Sequence, residues 1–158
     1  LNTYQSERSS NVKEYIETTM RMGEFVNAVG KSPITNNISA DSKGRKSMKS
    51  IKPRLGHGLG DLKDKFRGKI FPQFIIKKNK KLDEKFSLKP ALIISDEIKN
   101  ISSKIKLIKS KNIKNLELFF KEHNCKAVIV RPDRFILSSC TSVKNFNSYL
   151  NKNLSLLA

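Results

Sequence analysis

The chain has 158 residues, enough for one domain of ordinary size or a smaller domain with an appended arm, and 37% of them are hydrophobic. No apolar run approaches the roughly 20 residues of a membrane-spanning helix and nothing resembles a secretion signal, so we predict a soluble, cytoplasmic protein with no membrane partner. The formal net charge of +18 is typical of chains that bind nucleic acid or an anionic membrane surface.

The first predicted element is a long helix over residues 1–29. Arg8 and Gly23 lie within its apolar stripe, where an arginine needs an acceptor and a glycine permits close approach of another backbone. This face is therefore predicted to dock on a larger body. Gly30 and Pro33 provide the stop signals. The stripe consists of Leu1, Tyr4, Val12, Tyr15, Ile16, Thr19, Met22, Val26 and Val29.

Residues 30–65 have little periodicity and many turn-forming residues, which predicts a long linker. Within it, RLGHGLGD at residues 54–61 has glycines that could cradle a phosphate. The spacing differs from G-x-G-x-x-G, however, and no strand precedes it. His57 is solitary and is interpreted as a surface side chain rather than a ligand or base.

Residues 66–158 have the pattern of a small α/β domain, so the predicted fold class is α/β. A helix, a hairpin and a second helix at its end are typical of the back half of a thioredoxin-like fold. Strands are predicted at residues 69–76, 91–95, 104–109, 127–130 and 135–139, and helices at residues 116–123 and from Thr141 or Ser142 to about Leu156.

Apolar spacing assigns a buried face to each of these two helices, and Asn124 is predicted to cap the first. The lysine-rich stretch before residue 82 is interpreted as a solvated turn. The predicted buried residues are Leu116, Phe119 and Phe120 in the first helix and Val143, Phe146, Tyr149, Leu150, Leu154 and Leu157 in the second.

The hairpin AVIVRPDRFIL, residues 127–137, turns at an Arg-Pro-Asp-Arg corner. Pro132 fixes φ near −65° and Asp133 can bond its own backbone, which favours a tight turn. Arg131 and Arg134 flank this turn, and no nucleophile, base or metal ligand accompanies them. We interpret the corner as structural rather than catalytic.

The two cysteines, Cys125 and Cys140, lie outside any C-x-x-C or zinc-ligand spacing. They are predicted to be small buried side chains of a reducing compartment. Neither a redox dithiol nor a metal site follows from them.

The basic charge leaves a second hypothesis open, a free-standing nucleic-acid-binding module. Only seven of the 32 basic residues are Arg. Bidentate contacts with phosphate or guanine favour Arg, whereas Lys is a flexible point charge. Abundant Lys, Asn and Ile are also what an A/T-rich coding sequence supplies, so nucleic acid is the disfavoured partner.

Three separated blocks resemble the flavin-dependent aromatic hydroxylases, most closely the 3-(3-hydroxyphenyl)propionate hydroxylase branch. LELFFKEHNCKAVIVRPDRFIL with SVKNFNSYLNKNL is similar to that family's ending, with its R-P-D-R-F/Y turn. GKIFPQ and KLDEKF resemble its G-R-L-F-P-Q and L-D-D segments, and LNTYQSERSSNVKEYIETTMRMG resembles its L-D-x-Y-x-x-E-R-R-P-H helix. The blocks occur in the family's order and cover most of the chain apart from residues 31–52.

The resemblance implies a C-terminal fragment of a monooxygenase in which NAD(P)H reduces FAD and the flavin delivers an oxygen atom to a phenolic substrate. Residues 1–29 would be the last helix of the FAD domain, and residues 30–65 would be the linker to the next domain. Residues 66–158 would form a thioredoxin-like domain without C-x-x-C. The family's dinucleotide fingerprint lies upstream of Leu1, so no catalytic, cofactor-binding or metal residue is assigned. The expected partner is the FAD domain, and homo-oligomer formation is left open.

Overall fold

The computed structural model is a mixed α/β structure whose described residues are 3–27, 38–40, 46–48, 51–77, 80–86, 88–99, 101 and 103–156. It divides into two compact units, Leu1–Gly56 and His57–Ala158. The helices are α1 (Tyr4–Asn27), α2 (Lys114–Glu122) and α3 (Phe146–Leu154), with a short 3₁₀ helix at Leu82–Lys85. The strands are β1 (Ile38–Ala40), β2 (Lys46–Met48), β3 (Ile75–Lys77), β4 (Lys80–Lys81), β5 (Ala91–Ile94), β6 (Lys106–Lys109), β7 (Ala127–Val130) and β8 (Ile136–Cys140). None of the described helices is long and apolar enough to cross a bilayer.

The first unit contains α1 and the antiparallel pair of β1 and β2, which lies inside the predicted linker. The buried side chains of α1 are polar: Glu7 and Asn11. Asn11 Nδ2 donates to the Pro53 carbonyl at 2.9 Å, and the Gly56 N–H donates to the Glu7 carbonyl at 2.8 Å. A Cβ at Gly56 would lie 2.4 Å from the Ser6 carbonyl oxygen, so this close approach requires glycine.

The second unit is built on a four-stranded sheet in the order β6-β5-β7-β8. β5 pairs in parallel with β6, whereas the β5/β7 and β7/β8 pairs are antiparallel. Every residue of the two central strands, ALII in β5 and AVIV in β7, is buried. Their continuous apolar runs are typical of strands covered on both faces.

Alternate side chains of the two central strands pack into two separate hydrophobic cores, one on each face of the sheet. Ile93 and Val128 face the core that contains the α2 side chains, and Leu92 and Ile129 face the core that contains α3. Phe119 is at the centre of an aromatic cluster in the first core, with edge contacts to other rings. The two helices therefore cover opposite faces of the sheet.

The strand predicted at 127–130 is present with the predicted ends, and the strands predicted at 91–95, 104–109 and 135–139 are present with ends shifted by one or two residues. The helix predicted at 116–123 is also present, and Asn124 follows it at φ +46°, the left-handed conformation of a helix C-terminus. The long first helix is present from Tyr4 to Asn27 within the described residues.

The predicted residue ranges of two elements are wrong. The strand predicted at 69–76 is only a single bridge, Ile70 to Phe135, followed by β3 at Ile75–Lys77. Pro72 has no N–H to contribute to a ladder, so the pairing is interrupted. The last helix begins at Phe146 with Asn145 as its cap residue, not at Thr141 or Ser142.

The last helix starts late because a turn comes first: the Phe146 N–H donates to the Val143 carbonyl at 3.2 Å. Val143 is 42% exposed and does not join the apolar face, whereas Phe146 and Leu150 are buried as predicted. Leu157, also predicted on this face, lies outside the described residues.

The two edges of the sheet differ. At β8, the Gly68 N–H donates to the Ile136 carbonyl and the Ile136 N–H donates to the Lys69 carbonyl, both at 2.8 Å. At β6, no further strand of the described chain is added, and Lys106 and Lys109 at its two ends are exposed. One edge is thus covered by backbone and the other carries lysines.

Candidate functional site

The Arg-Pro-Asp-Arg corner is a tight turn between β7 and β8. The Arg134 N–H donates to the Arg131 carbonyl at 3.0 Å, and the Arg131 N–H donates to the Phe135 carbonyl at 2.9 Å. Asp133 accepts from the Phe135 N–H at 3.3 Å and from Arg131 Nη2 at 3.1 Å. Arg134 has φ +67°, a conformation that costs a side-chain-bearing residue energy.

The Arg134 side chain joins segments that are distant in the sequence. Its Nη2 donates to the Phe71 carbonyl at 3.0 Å, and its Nη1 lies 3.0 Å from Asp83 Oδ2. Gln73 Nε2 donates to the same Asp83 oxygen at 2.7 Å, and the Phe71 N–H returns a bond to the Arg134 carbonyl at 2.8 Å. Arg134 therefore connects the corner to the segments around Phe71 and Asp83, although Arg134 Nε and Asp83 Oδ1 have no hydrogen-bond partner among the described residues.

A polar cleft of about 800 Å³ opens in the second unit beside β8 and α3, and it is a candidate binding site. Hydroxyl and amide side chains dominate its walls, with lysines and aspartates among them. The lining residues include Asp61, Asp64, Phe66, His123, Tyr149 and Lys152.

Asp64 fixes one wall of the cleft. Its carboxylate accepts from the Ser139 hydroxyl at 2.7 Å, from the Ser139 N–H and from the Phe66 N–H at 2.8 Å. The Phe66 ring then packs on His123, with centroids 5.2 Å apart. This contact could not be predicted from the sequence, because Asp64 lies in a loop and Ser139 lies in a strand 75 residues later.

Tyr149 lines the cleft. Its hydroxyl donates to the Ser138 carbonyl and accepts from the Ser138 hydroxyl, both at 3.1 Å. Burial raises the pKa of Tyr149 above its ordinary value of 10.0, so the phenol is neutral at physiological pH. Lys152 lies 3.6 Å from Asp61 at the rim. These groups can hydrogen-bond a polar ligand.

The glycine-rich loop, whose spacing disfavoured a phosphate cradle, packs against the sheet. Gly60 has φ +91°, and a Cβ on it would lie 2.4 Å from the Leu137 carbonyl oxygen. This glycine is therefore required for close packing.

His57 is exposed, in agreement with its interpretation as a surface side chain. No group of metal-ligating residues occurs among the residues that the structure describes.

Both cysteines are free and buried, as the sequence predicted. Cys125 Sγ donates to the Ala127 carbonyl at 3.1 Å, and Cys140 Sγ donates to the Ser142 carbonyl at 3.1 Å. Burial raises the pKa of the Cys125 thiol to about 11 and also raises the pKa of Cys140. Such thiols are poor nucleophiles at neutral pH because the thiolate is the reactive form.

We expect the free energy of unfolding to fall as the pH rises from 9 towards 11. The pKa of Cys125 is about 11 in the folded chain against an ordinary value of 9.0, so the unfolded chain loses its proton first. The loss has a ceiling of about 1.4 kcal/mol per pH unit for this one thiol. Urea titrations at several pH values would measure it, and Cys125→Ala should give a flatter dependence. Equal slopes for the two proteins would contradict the prediction.

Those residues of the apolar stripe of α1 that the structure describes are exposed. A shallow groove of about 350 Å³ runs along one part of it, lined by Val12, Tyr15, Ile16, Thr19 and Met20. These positions recur every three or four residues, so they share one helix face. Tyr4 and Val26, near the ends of the helix, are 62% and 66% exposed. This apolar face is a candidate contact surface.

Comparison with protein-family models, curated proteins and solved structures finds no match for this chain.

Proposed function

We propose that this chain is the C-terminal part of a flavin-dependent aromatic hydroxylase, most similar to the 3-(3-hydroxyphenyl)propionate branch, and that it acts in packing and assembly. The observation that carries the proposal is that Arg134 contacts residues from two other blocks of the resemblance. Arg134 belongs to the R-P-D-R-F block, Phe71 to the GKIFPQ block and Asp83 to the KLDEKF block, and their side chain or backbone groups bond to one another. Residues singled out by resemblance thus form one structural unit.

The architecture of the second unit supports a thioredoxin-like domain. Its central strand β5 has a parallel neighbour on one side and an antiparallel hairpin on the other. One helix precedes the hairpin and one follows it, and they cover opposite faces. With buried, high-pKa thiols and no C-x-x-C, we assign this domain to packing rather than disulfide exchange.

The exposed face of α1 supports docking on a flavin-carrying body. In the first unit, the buried contacts of α1 are made by Glu7 and Asn11, while Tyr15 and Ile16 are 44% and 56% exposed. A helix usually buries its apolar stripe, because apolar area removed from water contributes roughly 25 cal/mol per Å². The face that remains in water here is the one that would contact the FAD domain.

The residues that the structure describes offer no fit for a flavin nucleotide. A diphosphate requires a backbone cradle that is open to the ligand, and the one glycine-rich loop of the sequence uses Gly60 to approach Leu137. In the complete enzyme the flavin, after reduction by NAD(P)H, supplies the oxygen transfer. This chain then has a supporting role and carries out no chemical step.

Titration of the purified chain with FAD should leave the flavin fluorescence unchanged at micromolar concentrations. Joined to the in-frame coding sequence upstream of Leu1, the same chain should yield a yellow protein with flavin absorbance. As a matched pair, Ile16→Ser on the apolar face should lower the flavin content of the joined protein, and Lys13→Ser on the exposed polar face should not. Sub-micromolar FAD binding by the chain alone, or an upstream sequence without a G-x-G-x-x-G turn, would overturn the proposal.

A second candidate, nucleic-acid binding, draws on the net charge of +18 and on the lysines beside the polar cleft, Lys63, Lys65 and Lys152. Asp61 offsets part of this charge through its contact with Lys152. Oligonucleotide titrations at two salt concentrations separate the candidates. Contacts with phosphates give a steep decrease of affinity with salt, whereas an assembly domain gives weak binding throughout.

A further inference from the structure

A second cavity, of about 250 Å³, lies at the carboxyl ends of the parallel strands β5 and β6. Ser95 directly follows β5, and Ser110 directly follows β6. Side chains of α2 and of the segment before β7 close the other sides. In sheets with parallel strands, ligands bind at the carboxyl ends of those strands. The hydroxyl and charged side chains around the cavity include Ser95, Asp96, Glu97, Glu117, Lys121 and Lys126.

Ser95 presents an unused polar group to this cavity. The residue is 6% exposed, and its Oγ has no hydrogen-bond partner among the described residues. Its backbone is satisfied, because the Ser95 N–H donates to the Lys126 carbonyl at 2.8 Å. A buried hydroxyl without a partner is costly to a fold, so its presence beside a cavity points to a ligand that completes the bond.

Charges of both signs border the cavity. Glu97 and Lys126 neutralise each other in an ion pair at 2.5 Å. Glu117 accepts a bond from the Asn112 N–H at 3.1 Å. Neither Asp96 nor Lys121 forms an ion pair with another described residue. One carboxylate and one ammonium are therefore available to a ligand.

We propose that this cavity binds a small zwitterion with an ammonium and a carboxylate group, of the size of a free amino acid. The ligand ammonium would bond the Asp96 carboxylate and the Ser95 hydroxyl, and the ligand carboxylate would pair with Lys121. A volume of 250 Å³ equals about eight water molecules of liquid, which suits such a molecule. Binding at this cavity does not depend on the proposed role in a flavin enzyme.

Titration of the ¹⁵N-labelled full chain with L-alanine should shift the amide resonances of Ser95, Asp96 and Ser110 in a saturable manner. Ethylamine and propionate, which each keep one charged group of alanine, should bind at least tenfold more weakly. Shifts that do not saturate with L-alanine would overturn the proposal. So would equal affinity for ethylamine, which would indicate a simple cation site.

Ser95→Ala separates a ligand site from a structural role. Because the hydroxyl has no internal partner, the variant should unfold at the same or a higher temperature and bind L-alanine about tenfold more weakly. Asp96→Asn should also weaken binding, whereas the control Asp61→Asn, an exposed carboxylate of the other cleft, should not. Wild-type affinity in Ser95→Ala, or a lower unfolding temperature, would contradict the proposal.

Discussion

Phe119→Ala is expected to reduce the free energy of unfolding by about 3–5 kcal/mol, because a large aromatic side chain is lost from a packed core. The side chain is 7% exposed, and its removal leaves a cavity at the centre of the first core. The lost ring contacts, with centroid distances from 4.7 to 6.4 Å, are to Phe66, Phe71, Phe74, Phe120 and His123.

The neighbouring residue provides the control. Leu118 lies on the same helix but is 50% exposed, so Leu118→Ala should change stability by no more than about 0.5 kcal/mol. Both variants keep the helix propensity of α2 high, because alanine favours helices. Urea denaturation followed by circular dichroism measures both losses. Equal losses at the two positions would show that the aromatic cluster is not the centre of the core.

Arg134→Ala should cost about 2 kcal/mol, because it leaves the Asp83 carboxylate without its cation and the Phe71 carbonyl without a donor. The expected loss is smaller than for a fully buried pair, since both side chains are about one-third exposed. Arg134→Gly should cost about 1 kcal/mol less than Arg134→Ala. Glycine adopts the φ of +67° without strain, whereas alanine does not.

Comparing Arg134→Ala with Arg134→Gly separates the effect of backbone conformation on stability from the effect of losing the guanidinium. Both remove the guanidinium, so the difference between their free energies of unfolding reports the relief of strain at this position, less the greater conformational entropy that glycine gives the unfolded chain. Thermal or urea denaturation of the two proteins in parallel gives that difference. An alanine variant as stable as the glycine variant would mean that the turn relaxes out of the left-handed conformation.

The sequence pattern was informative where local signals and burial agree. The runs ALII and AVIV predict the two central strands because strands covered on both faces need continuous apolar residues. The spacing of Leu116, Phe119 and Phe120 predicts the buried face of α2. The pattern was less informative where one residue interrupts strand pairing. KIFPQFII is apolar enough for one strand, yet Pro72 separates a single bridge at Ile70 from β3, which begins at Ile75.

Neither candidate site could be predicted from the sequence. The polar cleft depends on Asp64 meeting Ser139, and the second cavity depends on β5 lying parallel to β6, a pairing between segments that the strand pattern leaves undefined. The unpartnered hydroxyl of Ser95 is also a tertiary property, since Ser95 is an ordinary serine at the end of a strand until its neighbours are known. Sites of this kind consist of contacts between distant segments.

The lysines at the ends of β6 give the high positive charge of this protein a role that involves no ligand. An unpaired strand edge offers free N–H and C=O groups to the same edge of another molecule, which is how fibrils and insoluble aggregates begin. With Lys106 and Lys109 exposed on that strand, two copies approaching edge to edge would bring like charges together. A chain rich in lysine can in this way remain dispersed in a crowded cell, and acetylation of these two side chains would remove that protection.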